Sequence, residues 1–390
     1  MAKKIELIAT ATFGLESVVA HEVKKMGYDV MVENGRVTFF GDEMAICRTN
    51  LWLRSADRVL IKMGEFKATS FEELFQQTKA LPWPDWLPVD ATFPVEGKSI
   101  KSKLHSVPDC QAIVKKAIVE KMKQTYKKEW FEETGPRYTI EVALLKDIAT
   151  ITIDTSGVGL HKRGYRKLAA QAPLKETLAA GLLSIARWYP DRPLLDPFCG
   201  SGTIPIEAAL IGHNIAPGIG RNFVAEEWPV IPKKLWRNAR KEALESEIHD
   251  NKLRIYGTDI DDKVLSLARY HAKQANVEDS IHFQRVPVAN VRTKQKYGFI
   301  ITNPPYGQRL GEIQQVKKLY EELGQTYKTL DNWSCFVISS FEHFEQYFGK
   351  KADKKRKLYN GRVECNYYQY PGPRPLRPKK VEDSIAVSQD

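Results

Sequence analysis

A short apolar run, Leu194-Leu195, closes on the acid Asp196 and passes into Pro197-Phe198-Cys199-Gly200-Ser201-Gly202-Thr203; no other stretch constrains the fold as much. Strand, acid, glycine turn and then an apolar helix over 204–211 is an arrangement in which glycines let the backbone approach a ligand at a helix N-terminus. It predicts an open α/β sheet with its ligand outside the carboxyl ends of the strands. Gly200-x-Gly202 lacks the third glycine of a dinucleotide fingerprint, so the turn alone does not name the ligand. The next strand, 255–259, ends in Asp259, whose carboxylate can accept from both hydroxyls of a ribose. Asp259 lies far beyond the roughly twenty residues usual for such an acid, so an insertion is expected. Residues 213–250 supply it, with a helix-like stretch over 233–248 that carries Trp236 and Leu244.

A second strand exit lies downstream. Phe299, Ile300, Ile301 and Thr302 read as a buried parallel strand. The tetrapeptide after it, Asn303-Pro304-Pro305-Tyr306, offers a carbonyl, an amide and an aromatic ring on a backbone that two prolines make rigid. Such a set suits a planar base bearing an amino group. The chain of 390 residues predicts two to three domains, and 43% hydrophobic residues are ample for packed cores. A net charge of +11 points to a polyanionic partner, because Lys and Arg release counterions from phosphates. The five cysteines, Cys47, Cys110, Cys199, Cys335 and Cys365, are scattered without a CxxC pair, which argues against a disulfide framework and a metal cluster. No apolar run reaches membrane-spanning length, and the N-terminus enters a strand pattern directly, so a cytoplasmic protein without membrane is expected; no metal and a monomeric chain are expected as well.

The first sixty residues read as βαββαβ, the ferredoxin-like unit. A strand over 5–10 precedes a helix carrying Leu15, Val18, Val19, Val23 and Met26. The Asn34-Gly35 turn predicts a type I′ hairpin between 30–33 and 37–40. A helix over 43–53 and a strand over 59–63 complete the unit. The chain then restarts with a helix carrying Phe71, Leu74 and Phe75. A strand over 93–96 leads to a loop with Lys98, Lys101 and Lys103. The helix opened by Pro108 and Asp109 buries Val114, Ile118 and Met122 and presents Lys115 and Lys116 on its other face. Strands over 138–144 and 148–153 follow. The link 160–166 carries Arg163 and Arg166, and a basic run over 350–357 includes Lys354, Lys355 and Arg356. Each of these sets reads either as a solvated face or as a phosphate contact. Tyr359-Asn360-Gly361-Arg362 signals a closing hairpin, and the Pro- and Arg-rich end from Pro371 reads as an unstructured tail.

Phe93-Pro94-Val95, Lys98-Ser99, Lys101-Ser102, the helix from Asp109 and Asp154-Thr155-Ser156-Gly157 resemble a THUMP domain, an RNA-binding module. Residues 196–203 and 303–306 resemble motifs I and IV of class I S-adenosylmethionine-dependent amino-methyltransferases. Together the two halves resemble the THUMP methyltransferases acting on guanine N2, with the 23S ribosomal RNA enzymes nearest among them. The resemblance implies a Rossmann-like methyltransferase sheet, parallel with an antiparallel C-terminal edge hairpin, behind an α+β ferredoxin-like and THUMP region. Implied bounds are 1–65 for the ferredoxin-like part, 66–157 for THUMP, 158–172 for the linker, 173–371 for the methyltransferase domain and 372–390 for the tail. Asp196, Pro197, Phe198, Cys199, Gly200, Ser201, Gly202 and Thr203 would face the methionine portion of S-adenosylmethionine. Asp259 and Ile260 would face its ribose side, and Ala289 or Asn290 the adenine, where the acid common in the family is missing. Asn303 and Pro304 would hold the target amine and Tyr306 would stack on the base. Residues 171–177 match a segment that closes over the cofactor. The expected partner is RNA, 23S ribosomal RNA or a large-subunit assembly intermediate. Transfer RNA, DNA adenine and a non-catalytic ribosome-assembly role are the alternatives.

Overall fold

The chain is seen in a computed structural model that describes residues 4–168, 174–307 and 313–375. The first sheet begins with β1 (Ile5–Ala11), β2 (Val30–Glu33), β3 (Arg36–Gly41) and β4 (Ala56–Lys67), joined through helices Glu16–Lys25 and Glu43–Trp52 in the ferredoxin-like order. It continues with β5 (Val95–Ile100), β6 (Ile140–Leu145) and β7 (Ile148–Asp154), in the spatial order β2-β3-β1-β4-β7-β6-β5. β4 joins the two parts: residues 56–61 pair with β1, and residues 60–67 pair with β7 across an irregularity at Lys62/Gly64. The expected boundary at 65 therefore falls inside a strand. Three further expectations shift locally. Only Gly35 of the Asn34-Gly35 turn has positive φ (+76°), so the turn is not type I′, which needs two such residues. Lys98 lies within β5 rather than in a loop, and Lys354, Lys355 and Arg356 lie within a strand of the second sheet. Within the tail, residues 376–390 lie outside the described residues, as do 169–172 of the linker and residue 173 after it.

The second sheet holds β8 (Leu194–Asp196), β9 (Ile255–Asp259), β10 (Ile281–Arg285), β11 (Phe299–Thr302), β12 (Ser334–Ser339), β13 (Lys354–Asn360) and β14 (Val363–Tyr370). Its order is β10-β9-β8-β11-β12-β14-β13, parallel from β10 to β12 and antiparallel through the final hairpin. The chain winds outward from β8 to β10 and then returns to β11 on the other side of β8. The crevice outside the carboxyl ends of β8 and β11 is thus the topological switch point where such sheets bind ligands.

The two sheets are fastened by the insertion that the spacing of Asp259 demands. Its helix Lys233–Glu245 and the turn Val224–Glu227 belong to the N-terminal core, not to the sheet they interrupt. Trp228 stacks on Tyr138 with ring centroids 4.4 Å apart, and its indole nitrogen donates to the Arg137 carbonyl at 2.9 Å. In return, Leu15 and Val18 of the first module join the core of the second sheet. Gly181 of helix Glu176–Ala186 permits this approach, because a Cβ there would stand 2.7 Å from a Leu15 methyl.

Candidate active site

Asp196 and Asn303 leave neighbouring strands at the switch point. Leu195 pairs with Ile300, so the last residues of β8 and β11 lie side by side. The Thr302 hydroxyl donates to Asp196 Oδ1 at 2.5 Å, and the Phe198 amide donates to the same oxygen at 3.2 Å. The apolar run 299–302 predicts the strand with Thr302 as its last residue and gives its hydroxyl no role. A hydroxyl closing an otherwise apolar buried strand was the available signal.

The glycine loop is shaped by its neighbours. Gly200 and Gly202 have φ of +52° and +83°. A Cβ on Gly202 would lie 3.0 Å from the Ala268 Cβ and 3.1 Å from the Phe283 ring, so both backbone freedom and space require glycine. Gly202 caps helix Thr203–Gly212, and Cys199 is anchored by its amide to the Thr258 carbonyl at 3.0 Å. Pro197, Cys199, Ser201 and Thr203 are buried, while Phe198 is partly exposed. Asp259 lies across the loop. Its Oδ2 accepts from the Gly200 amide at 3.0 Å and its Oδ1 from the Asp261 amide at 3.1 Å, so this acid already holds the loop. Lone pairs remain on both oxygens for a ribose. Ile260 beside it is 61% exposed, an apolar side chain facing solvent. Ala289 and Asn290 form a short turn after β10, partly and fully exposed.

No basic side chain pairs with Asp196 among the described residues, and burial lifts its carboxyl to about 7, with the Asp259 charge adding and Thr302 and Phe198 opposing. A carboxyl raised from 3.8 by folding holds its proton more tightly in the folded chain. Its stabilising contribution is therefore complete below about 4 and is lost as pH rises through 7. Without cofactor, thermal stability should fall between pH ~4 and ~7 more steeply in the wild type than in Asp196→Asn. Parallel melting profiles of the two proteins would refute this.

The Asn303 tetrapeptide differs from the open platform expected of it. Tyr306 is mostly buried against the core that contains Leu358 and Cys365, and its hydroxyl donates to Asn303 Oδ1. Burial raises its phenol well above the ordinary value. The Pro305 carbonyl accepts from the Tyr320 hydroxyl at 2.8 Å, whereas nothing donates to the Pro304 carbonyl among the described residues. Of the segment 171–177, Gln171, Ala172 and Pro173 lie outside the described residues, and Thr177 is buried.

Two of the basic residues assigned to RNA are structural instead. Arg163 is 5% exposed and pairs with the fully buried Glu207 at 3.3 Å. Arg166 pairs with buried Glu176 at 3.2 Å and donates to Thr203, bracing the end of the glycine loop rather than facing solvent. Others are partly engaged. Lys115 is held by Glu133 at 2.5 Å over the Phe93 ring, Lys98 by Glu141 at 2.8 Å and Lys355 by Glu345 at 2.6 Å. Arg356 donates to the Gly14 carbonyl and the Ser17 hydroxyl at 2.9 and 2.7 Å. Lys101, Lys103, Lys116 and Lys354 are exposed. A concavity lined by Tyr327, Trp333 and Lys350 opens at the opposite end of the strands, since Trp333 precedes β12 whereas Asn303 follows β11. It is remote from the carboxylate chemistry.

Residues 163–369 match the family profile described as the RMKL-like methyltransferase domain, 6–60 the RlmL ferredoxin-like domain and 68–154 the THUMP domain. The chain belongs to the RMKL-like methyltransferase family. It is 53% identical over 385 residues to the "Putative RNA methyltransferase YpsC" of Bacillus subtilis, covering 98% of this chain and 100% of the relative. It is 33% identical over 366 residues to "Ribosomal RNA large subunit methyltransferase K/L" of Psychromonas ingrahamii, covering 92% of this chain but 49% of that protein. Among solved structures, a "predicted N6-adenine-specific DNA methylase" of Listeria monocytogenes superposes with a TM-score of 0.92 at 54% identity, over 95% of this chain and 97% of that one. "SMU.472, a putative methyltransferase complexed with SAH" gives 0.91 at 46%, over 96% and 100%. The RMKL-like chain is thus a methyltransferase with a THUMP domain, and no helix among its described residues is long and apolar enough to cross a membrane.

Proposed function

We propose that the RMKL-like chain transfers a methyl group from S-adenosylmethionine to the exocyclic N2 of a guanosine in RNA, with large-subunit ribosomal RNA as substrate. The juxtaposition of Asp196 and Asn303 through Thr302 carries this reading, because it puts a cofactor loop and an amine acceptor at one crevice. The residues present suit the cofactor. Asp196 is a buried carboxyl without a cation among the described residues, the natural partner of an amino acid's ammonium group, and Asp259 has acceptors for a ribose. The two positive-φ glycines keep side chains away from the helix N-terminus. When bound, the cofactor supplies an electrophilic methyl group. The protein does the rest. Asn303 Oδ1 and the Pro304 carbonyl accept the amine hydrogens and draw them out of the ring plane, which frees the nitrogen lone pair. The proton is lost readily after transfer, so no strong base is needed. Tyr306 packs against the base once its hydroxyl leaves Asn303, a rearrangement costing about 0.5–1.5 kcal/mol for one hydrogen bond. Extruding a base costs a few kcal/mol and one aromatic stack returns roughly 1–3 kcal/mol. The exposed lysines Lys101, Lys103, Lys116 and Lys354 are the cations available to phosphates for the remainder.

The relative named for large-subunit ribosomal RNA and the THUMP domain support RNA as substrate. The Listeria neighbour's name favours adenine in DNA as the second reading, and Asn-Pro-Pro-Tyr serves adenine amines equally well. Nucleoside mass spectrometry of ribosomal RNA, transfer RNA and DNA from cells with and without the gene separates them. Loss of N2-methylguanosine from large-subunit RNA is expected. Loss confined to transfer RNA, or of N6-methyladenine from DNA, would overturn the proposal.

A further inference from the structure

The Tyr306 hydroxyl lies between two amide side chains. It donates to Asn303 Oδ1, it accepts from Asn360 Nδ2 at 3.4 Å, and the Cys365 thiol also lies within hydrogen-bonding reach. Asn303 Oδ1 is the acceptor that the target amine needs under the functional reading above, on which this inference rests. As the amine takes that oxygen, a largely buried hydroxyl loses its strong acceptor and keeps only the weakly accepting Cys365 sulfur, and a poorly satisfied buried donor is costly. A carboxamide carries both a donor and an acceptor, so Asn360 can hold the hydroxyl in either state by turning over. Asn303 cannot do this while it holds the amine.

Asn360 is placed by the other half of the chain. It ends β13, opposite Val363, at a two-residue turn whose Gly361 has φ of +63°. The loop after β1 grips the same strand: Arg356 binds the Gly14 carbonyl and Ser17, and Phe13 meets Tyr359 edge-on with centroids 5.8 Å apart. A Cβ on Gly14 would stand 2.4 Å from the Lys357 carbonyl, so the two backbones are in contact. We infer that Asn360 is a positioning residue for Tyr306, held at its height by the Phe13-Gly14 loop, and that through Tyr306 it governs access to Asn303.

Site-specific 3-fluorotyrosine at 306 and single-turnover methyl transfer to protein-free large-subunit ribosomal RNA test this together. Asn360→Ala should slow transfer roughly 3- to 10-fold, the scale of one hydrogen bond, with S-adenosylmethionine affinity unchanged. The fluorine resonance should move in Asn360→Ala and also in Asn360→Asp, which is nearly isosteric but cannot donate. In a double-variant cycle, Asn360→Ala should add nothing to Tyr306→Phe, an outcome that general loosening of the hairpin would not give. An unmoved resonance, an unchanged rate, or a double variant slower by the product of the single effects overturns the assignment. If the wild-type chain transfers no methyl group to this RNA, the functional reading fails by itself, and the fluorine resonance still decides the role of Asn360.

Discussion

Asn303→Ala is expected to lower methyl transfer on the order of 10²–10³-fold, the scale of removing one preorganised hydrogen-bonding group. Affinities for S-adenosylmethionine and RNA should stay near wild type. The separation follows from where the side chain sits. Asn303 follows β11, while the glycine loop proposed to hold the cofactor is organised by Asp259 and by Thr302 on Asp196, none of which needs the Asn303 amide. Single-turnover assays with saturating RNA, alongside calorimetric titration of the cofactor, check both halves of the expectation. Wild-type rates in the variant would remove Asn303 from the chemistry. An equal loss of cofactor affinity would instead assign it to the loop. The effect is large because no strong acid or base is invoked: transfer depends on holding the amine in line with the methyl group, and fixed geometry of that kind is worth up to about 7–11 kcal/mol.

What the sequence revealed and what it hid divide by the range of the signal. The strand ending at Asp196, the glycine turn and the rigid exit at Asn303 are local, so period, apolar runs and proline sufficed to place them. The ferredoxin-like order was legible for the same reason. β4 was read too short because Gly64 and Glu65 break its alternation, although pairing with β7 carries the strand on to Lys67. The stripe of Trp236 predicted a helix, but nothing nearby in sequence tells that its apolar face closes on the N-terminal core. Tyr306 looked like an open platform because the tetrapeptide carries no trace of Leu358 and Cys365, more than fifty residues on, against which the ring is buried. Arg163 misled most. In Lys162-Arg163-Gly164-Tyr165-Arg166 all the cations look alike, and only the fold reveals which one faces Glu207, 44 residues away.

Glu207→Ala should destabilise the chain by about 3–5 kcal/mol, as expected when one member of a buried ion pair is removed. Glu207 is fully buried on the helix that starts at the glycine loop, and it accepts from the Arg163 guanidinium and, at 3.2 Å, from the Tyr165 hydroxyl. Arg163 also donates to the Arg54 carbonyl, so linker, N-terminal module and helix Thr203–Gly212 meet at this one carboxylate. The Arg54 guanidinium is lowered to about 10 by burial, an effect that the charge of Glu207 opposes. Alanine at 207 therefore leaves two guanidinium groups buried with less counter-charge. Glu207→Gln keeps the size and one acceptor and should cost less. The exposed pair of Arg285 and Asp262, at 3.2 Å with both side chains more than 60% exposed, is the control: Asp262→Ala should cost about 1 kcal/mol or less. Urea unfolding of the three variants checks the ranking. A Glu207→Ala loss no larger than that of Asp262→Ala would mean that the buried carboxylate does not hold the two halves together.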